Sequence, residues 1–274
     1  MATNEATVGR IPAASPALQP WNFWGEAVKA TLLLGRREIR TVLRTPAYLI
    51  PNMIIPIFFY FVMVASLEKF ANQAGVSNWE AFQLPVGILF AVQSGSAGMN
   101  MVGDIESGYF DKLLLTPANR LAILIGAMTA DFFRIMFQGI IVLIVALIAG
   151  LHFETGFPGM VVMITVLSVW GIAFSAIGFA IALKTGNVQA TQSIWTLFIP
   201  LMFLTTAFAP KDALADWMQV AATVNPLTYV LDGMRSLSMY GWDGEALWQA
   251  FAAVAIFGSL TITWAFMTLK GRVA

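Results

Sequence analysis

Five long stretches of this sequence contain no charged residue, and no other feature limits the possible folds as strongly. They are Pro46–Leu67, Ala81–Gly103, Gly159–Leu183, Val188–Pro210 and Leu247–Leu269. A helix that crosses the hydrocarbon core of a membrane needs about 20 apolar residues. A sixth stretch, Leu121–Leu151, is apolar apart from Asp131 and Arg134. The sequence therefore predicts an all-α integral membrane protein with six transmembrane helices.

The composition agrees with this fold class and argues against several functions. Charged residues make up 11% of the chain and apolar residues 58%, whereas soluble domains carry about 25% charged residues. The net charge is zero, so we expect no nucleic-acid partner. The chain has no cysteine and a single histidine, His152, which leaves no metal cluster and no nucleophile–base pair for an intramembrane enzyme. It also lacks the GxxxxGKS/T phosphate loop, so we expect no nucleotide hydrolysis and no cofactor in this chain.

The positions of Lys and Arg predict the orientation of the spans, because these residues are enriched in cytoplasmic flanks. With a cytoplasmic N-terminus, nine of them lie inside: Arg36, Arg37, Arg40, Arg44, Lys112, Arg120, Lys184, Lys270 and Arg272. Only Lys69, Lys211 and Arg235 lie outside. An even number of spans then places both termini in the cytoplasm.

Two segments before and between the first spans look like surface helices. Residues 1–20 are predicted to be a flexible cytoplasmic tail, and residues 21–274 one membrane domain. In Trp21–Arg44 the aromatic and basic residues fall on different sides of a helix, which is typical of a helix lying in the cytoplasmic interface. Asp104–Arg120 is short and charged, yet its part Tyr109–Leu115 contains five large apolar residues in seven positions. It predicts an amphipathic helix, which either enters a groove of a partner or lies on lipid headgroups.

The segment Lys211–Ala246 is too apolar for a simple outer loop. It predicts two short helices, Asp212–Val224 and Leu227–Tyr240, with Asn225 as a cap and Pro226 at the first helical position. Helices that dip into the outer leaflet would cover the exit of a pathway. The alternative is an outer cap that contributes only stability.

Two further features of the spans each have two possible interpretations. Asp131 and Arg134 are three residues apart on one helix face, and the excess length of Leu121–Leu151 places them near the inner membrane boundary. They form either a structural ion pair or a gating or conduction site. A stripe of small residues, Gly171, Ser175, Gly178 and Ala182, allows close helix contact, either within the chain or between two copies.

Two groups of residues together resemble type 2 ABC-transporter permeases, in particular the daunorubicin-resistance-like drug-export branch. The first group is Glu106, Gly108, Asp111, Leu113, Leu114, Thr116, Pro117 and Arg120. The second is Asn225, Pro226, Leu227, Thr228 and Tyr229, followed by Asp232 and Arg235. Ser107 departs from the pattern, in which a basic residue is common at this position. The resemblance extends over nearly the whole chain through the six-span order and the basic interfacial helix.

The resemblance implies a permease subunit that pairs with a second permease copy or homologue and with two cytosolic ATPase subunits, which bind ATP and Mg. Trp21–Arg44 then resembles the interface helix of the family, and Glu106–Thr116, with Tyr109 and Phe110 among its residues, the coupling helix that docks on the ATPase. The two outer helices resemble a re-entrant pair between spans five and six. Membrane lipids are the remaining expected partner, in a bacterial or archaeal-type cell membrane.

The expected cargo is a hydrophobic drug-like molecule or a lipid that leaves the cytoplasm or the inner leaflet. A polysaccharide or teichoic-acid exporter of the same class is the alternative. A stand-alone channel, scramblase or secondary carrier is a further one, in which Asp131 would be the coupling site and Asp104–Arg120 only a loop.

Overall fold

The computed structural model describes residues 46–73, 78–93, 98–115 and 120–272. All regular elements in these ranges are helical. They are α1 (Pro46–Gln73), α2 (Trp79–Gln93), α3 (Met99–Glu106), α4 (Tyr109–Leu114), α5 (Arg120–Ile148), α6 (Gly156–Thr185), α7 (Val188–Gln192), α8 (Ile194–Phe203), α9 (Asp216–Val224), α10 (Pro226–Arg235) and α11 (Gly244–Arg272). The predicted tail, the interfacial helix Trp21–Arg44, Thr116 and Pro117 lie outside the described residues.

Three of the described helices are long and apolar enough to cross a membrane, namely those within α5, α6 and α11. Each corresponds to one predicted span, with ends that differ by a few residues. Large apolar side chains on the surface, such as Phe58, Ile256 and Met267, are about two thirds exposed, as expected for a protein that lies in lipid. In lipid no water can form hydrogen bonds with the backbone. The long apolar stretches form helices because a helix pairs its own backbone N–H and C=O groups.

The predicted second span, Ala81–Gly103, is not one continuous helix. The chain forms α2 and α3 instead, and Gly98 immediately before α3 has a φ of 74°, in the left-handed region that ordinary helices exclude. A Cβ atom on Gly98 would lie 2.4 Å from the carbonyl oxygen of Gly178 in α6. Only glycine therefore allows this backbone to approach α6 so closely.

We expect Gly98→Ala to lower the free energy of unfolding by at least about 1–2 kcal/mol, the cost of a left-handed conformation for a residue with a Cβ atom. The close contact with α6 adds to this cost. Thermal unfolding in detergent measures the change. Gly103→Ala is the matched control, because a Cβ atom there would meet nothing within 4 Å. Equal effects of the two substitutions would contradict the interpretation.

The prediction of one continuous helix for the fifth span, Val188–Pro210, is also wrong. It is divided into α7 and α8, and the helix ends at Phe203. The chain leaves the helix because side chains replace the missing helical hydrogen bonds. The Thr205 hydroxyl donates to the carbonyl oxygen of Met202 and accepts from the amide of Ala207. Residues 204–210 are consequently irregular.

The predicted outer helices are present with shifted ends. α9 begins at Asp216, because residues Lys211–Ala213 form a separate 3-10 turn. α10 ends at Arg235, and a π-helical turn follows it over Ser236–Tyr240. The Asn225 side chain caps α10 and Pro226 occupies its first turn, as predicted.

The central helix is α6, which packs against α5 on one side and α11 on the other. Its cytoplasmic end, by the predicted orientation, lies beside α3 and the end of α11. There Arg272 donates a hydrogen bond of 2.8 Å to the carbonyl oxygen of Leu183. At the opposite end, the amide of Thr155 donates to the carbonyl oxygen of Leu237 in the π-helical turn. The bundle therefore has two distinct ends, one with α3 and α4 and the other with α9 and α10.

Candidate functional site

At the α9–α10 end, the side chain of Arg235, the last residue of α10, makes three hydrogen bonds. Its guanidinium is buried and donates to three oxygens. Nε lies 3.2 Å from the carbonyl oxygen of Phe82, one terminal nitrogen 2.9 Å from the hydroxyl of Thr206, and the other 3.2 Å from the carbonyl oxygen of Ala207. The side chain therefore ties α10 to the first turn of α2 and to the irregular chain after α8.

The charge of Arg235 is stabilised by one carboxylate and by neutral groups. The carboxylate of Asp232 lies 3.6 Å away and its side chain is half exposed. The guanidinium also lies 3.5 Å above the centre of the Phe82 ring, a favourable cation–π position. Burial lowers the pKa of Arg235 to about 10, so the side chain remains cationic at neutral pH.

The side-chain amide of Asn225 connects two helices, one through its oxygen and the other through its nitrogen. Its oxygen accepts a hydrogen bond of 3.0 Å from the amide of Leu227 and so caps the N-terminus of α10. Its nitrogen donates to the carbonyl oxygens of Leu201 and Leu204, at 2.6 and 2.9 Å, and so caps the C-terminus of α8. The residue fixes where α8 ends and where α10 begins.

The structure places the predicted outer residues in or directly before α10, with one set of hydrogen bonds around Asn225 and another around Asp232 and Arg235. Pro226 lies in the first turn of α10, Tyr229 donates its hydroxyl to the carbonyl oxygen of Thr223, and Asp232 accepts from Thr206. Sequence reasoning missed three participants, which are Phe82, Thr206 and Ser238. The Ser238 hydroxyl donates to the carbonyl oxygen of Ala81. No signal in the sequence links these residues, because the partners are as much as 157 positions apart along the chain.

At the other end, the segment of α3 and α4 has two faces. Gly108, with a φ of 67°, separates the two helices. Glu106, Tyr109, Asp111 and Lys112 are exposed. Phe110, in contrast, is 1% exposed and packs with Met101 and Leu124. The expectation that Phe110 belongs to the presented face is therefore wrong, because the turn at Gly108 directs it into the interior. For Leu113 and Arg120 the structure describes the backbone only.

We expect Phe110→Ala to destabilise the protein by about 3–5 kcal/mol, the usual effect of removing a buried Phe side chain. Tyr109→Ala at the neighbouring, half-exposed position should leave the melting temperature within about 1–2 °C, since surface substitutions change stability by about 0.5 kcal/mol or less. Thermal unfolding of the two variants in the same detergent tests this. A larger effect at Tyr109 would contradict the assignment of faces.

Asp131 and Arg134 form the predicted ion pair, with 2.9 Å between the charged groups and both side chains buried. The side chain of Ser175 in α6 lies close to the Asp131 carboxylate. Within the part of the chain that the structure describes, no group of three acidic or histidine side chains could hold a metal ion.

An open apolar cleft with a volume of about 490 Å³ lies between α6, α8 and α11. Ile181, Leu197 and Trp264 form part of its wall. The two hydroxyl groups in the wall, Ser193 and Thr261, both donate to backbone carbonyls. The cleft therefore presents an apolar surface.

Comparison with known proteins shows to which family this chain belongs. A daunorubicin resistance ABC transporter permease of Streptomyces coeruleorubidus is 28% identical over 279 residues, which cover 96% of this chain and 97% of that protein. The transport permease named ycf38 of Cyanophora paradoxa is 26% identical, over 86% of this chain and 84% of its own. A protein of Mycobacterium tuberculosis, named as a probable doxorubicin resistance ABC transporter permease, is 23% identical over 86% of this chain and 88% of its own.

The family match extends over most of the described structure. Residues 29–239 match the ABC-2 type transporter family, a range that includes α1 to α10 and both groups of residues on which the resemblance rests. The chain is thus a multi-pass membrane protein that belongs to the ABC-2 type transporter family.

Proposed function

We propose that this chain is the membrane permease subunit of an ATP-driven exporter for hydrophobic drug-like molecules or lipids. The observation that carries the proposal is the family match over residues 29–239, together with relatives named for daunorubicin and doxorubicin resistance. The open apolar cleft between α6, α8 and α11 is compatible with a cargo of this kind. The export path would be formed by this chain and a second permease subunit.

The proposed topology has six spans and both termini in the cytoplasm. α1, the α2–α3 pair, α5, α6, the α7–α8 pair and α11 would be the six spans. The basic residues Lys112, Lys184, Lys270 and Arg272 lie near the α3–α4 end of the bundle, which supports a cytoplasmic position for that end. The short helices α9 and α10 would then lie at the outer leaflet and line an exit gate.

ATP would be hydrolysed by two separate cytosolic subunits that dock on α3 and α4. The exposed face of this segment, with Tyr109, Asp111, Lys112 and Leu115, offers apolar and charged contacts side by side. A docked helix allows closure of the ATPase subunits to shift the membrane subunits between two arrangements.

The test is isolation of the tagged chain in mild detergent, followed by transport in inverted membrane vesicles. We expect a P-loop ATPase subunit to copurify, and doxorubicin to enter the vesicles only when ATP is added. Uptake of doxorubicin without ATP, by the purified chain alone, would instead favour a stand-alone carrier. Absence of uptake with ATP present would contradict drug export, and uptake of labelled lipid under the same conditions would identify a lipid exporter.

Docking on α4 has its own matched control. Tyr109→Ala should reduce the amount of copurified ATPase, whereas Tyr240→Ala should not, because Tyr240 is also exposed but lies at the opposite end of the bundle. Equal copurification with both variants would place the docking surface elsewhere.

A further inference from the structure

The open apolar cleft between α6, α8 and α11 has a buried floor and an exposed rim. Ile177 and Ile194 form the floor, and their side chains are only 8% and 4% exposed. On the rim, Leu197, Leu260 and Trp264 are between 44% and 67% exposed. The cleft therefore opens to the side of the bundle, where a membrane protein is surrounded by the acyl chains of lipids.

The cleft lies in one half of the membrane-spanning region. On α6, Ile177 and Ile181 precede the last helical residue, Thr185, by eight and four residues, or about 12 and 6 Å. On α11, Trp264 precedes the last helical residue, Arg272, by eight residues, which is again about 12 Å. One leaflet contributes about 15 Å of hydrocarbon. The cleft thus extends over the depth of the acyl chains in the leaflet at the α3–α4 end.

Two cations lie at this end of the helices that form the cleft. Ile177, Ile181 and Lys184 are spaced i, i+4 and i+7, so they lie on one face of α6. Thr261 in the cleft wall and Arg272 are eleven residues apart on α11, which is about three helical turns and returns to the same face. The basic side chains therefore continue two walls of the cleft toward the membrane surface.

Neither cation forms an ion pair within the part of the chain that the structure describes. Lys184 is exposed. Nη1 of Arg272 donates a hydrogen bond of 2.8 Å to the carbonyl oxygen of Leu183, and a Cβ atom on Gly186 would lie 4.0 Å from the same nitrogen. This hydrogen bond holds the guanidinium at the C-terminus of α6, beside the residue that carries the other cation.

We propose that the cleft binds an anionic phospholipid, with an acyl chain against the apolar wall and the phosphate group on Lys184 and Arg272. Charge complementarity selects this occupant. The apolar wall would accept the chain of any lipid, whereas two cations without an acidic partner favour an anionic headgroup. The wall offers no further polar group, because the hydroxyls of Ser193 and Thr261 already donate to backbone carbonyls. The lipid is a resident ligand of the chain, whatever the cargo.

The test measures how strongly anionic and zwitterionic lipids quench the fluorescence of Trp264. The full chain is placed in vesicles of phosphatidylcholine and phosphatidylglycerol in equal parts, and only one of the two lipids carries brominated acyl chains, which quench nearby tryptophans. Because the chain has nine tryptophans, the difference between the parent and Trp264→Phe gives the contribution of Trp264. We expect this difference to indicate a preference for phosphatidylglycerol of at least about fivefold, since each cation near a membrane surface contributes a factor of about five.

Substitutions of the cations test the position of the headgroup. Lys184→Gln should lower the preference about fivefold, and the double variant Lys184→Gln/Arg272→Gln should abolish it. Lys270→Gln is the matched control, because Lys270 is exposed at the same end of α11 but lies about 240° around the helix from Trp264. It should leave the preference nearly unchanged. If the double variant does not fold, because the hydrogen bond of Arg272 to α6 is lost, the result with Lys184→Gln decides.

Equal quenching by the two lipids in the parent would overturn the inference. A preference that Lys270→Gln lowers as much as Lys184→Gln does would overturn it as well. Quenching of Trp264 by neither lipid would show that protein, such as a second copy of the chain, covers the cleft in place of a lipid. These readouts need neither ATP nor drug, so failure of doxorubicin transport would contradict the proposed function while this test remains valid.

Discussion

Replacing Arg235 with Lys should destabilise the protein by about 3 kcal/mol or more, although the charge is kept. Hydrogen bonds to a charged group contribute about 1.5–3 kcal/mol each, and a single ammonium cannot reach the three oxygens that the planar guanidinium contacts. The positive charge would still be buried, so the cost of removing it from water would remain. α10 would then lose its attachment to α2 and to residues 204–210.

Two further substitutions separate the contributions at this position. Arg235→Met removes the hydrogen bonds together with the buried charge, so we expect it to be no more harmful than Arg235→Lys. Asp232→Asn should cost less than about 1 kcal/mol, because its side chain is half exposed and exposed ion pairs contribute little. Chemical unfolding in detergent gives the order of the three variants. A larger loss with Asp232→Asn than with Arg235→Lys would show that the ion pair, and not the backbone carbonyls, stabilises the guanidinium.

The sequence was sufficient for the long helices but not for their interruptions. α5, α6 and α11 follow from long apolar stretches, of which only that of α5 contains charged residues, since length and polarity alone determine which segments can cross a membrane. The break before α3 depends on the conformation of Gly98 and its contact with Gly178. The end of α8 depends on Asn225, more than twenty residues later. Both are tertiary contacts, which apolar composition does not encode.

The two predicted site regions illustrate the same limit. The outer residues were identified as a group, and the structure places them in or directly before α10. The partners of Arg235 were not, since Phe82 is 153 positions away along the chain. For α4, the sequence indicated an amphipathic segment but not its orientation. Tyr109 and Phe110 are adjacent and both aromatic, so the position of the first helical turn after Gly108 decides which one is buried.

The second large effect is expected at Asn225, where Asp and Ser separate the two functions of the amide. Both substitutions keep an oxygen that can cap α10, because Asp and Ser are among the best N-cap residues. Both remove the nitrogen that donates to Leu201 and Leu204. Asn225→Ser should therefore cost about 2–4 kcal/mol, since each buried carbonyl left without a donor costs about 1–3 kcal/mol. Asn225→Ala should cost about 1 kcal/mol more, through loss of the N-cap.

Asn225→Asp should be the most harmful of the three at neutral pH, although Asp and Asn have nearly the same shape. An ionised carboxylate would face two carbonyl oxygens at the positions that are now 2.6 and 2.9 Å from the amide nitrogen. The neutral carboxyl is favoured in this environment, so its pKa in the folded state is higher than in the unfolded state. The stability deficit relative to the parent should consequently grow as the pH rises above about 3.9, the ordinary pKa of Asp. Melting temperatures of Asn225→Asp and Asn225→Ser between pH 4 and pH 8 test this. A deficit for Asn225→Asp that is independent of pH, or smaller than that of Asn225→Ser, would show that the amide nitrogen does not hold the end of α8.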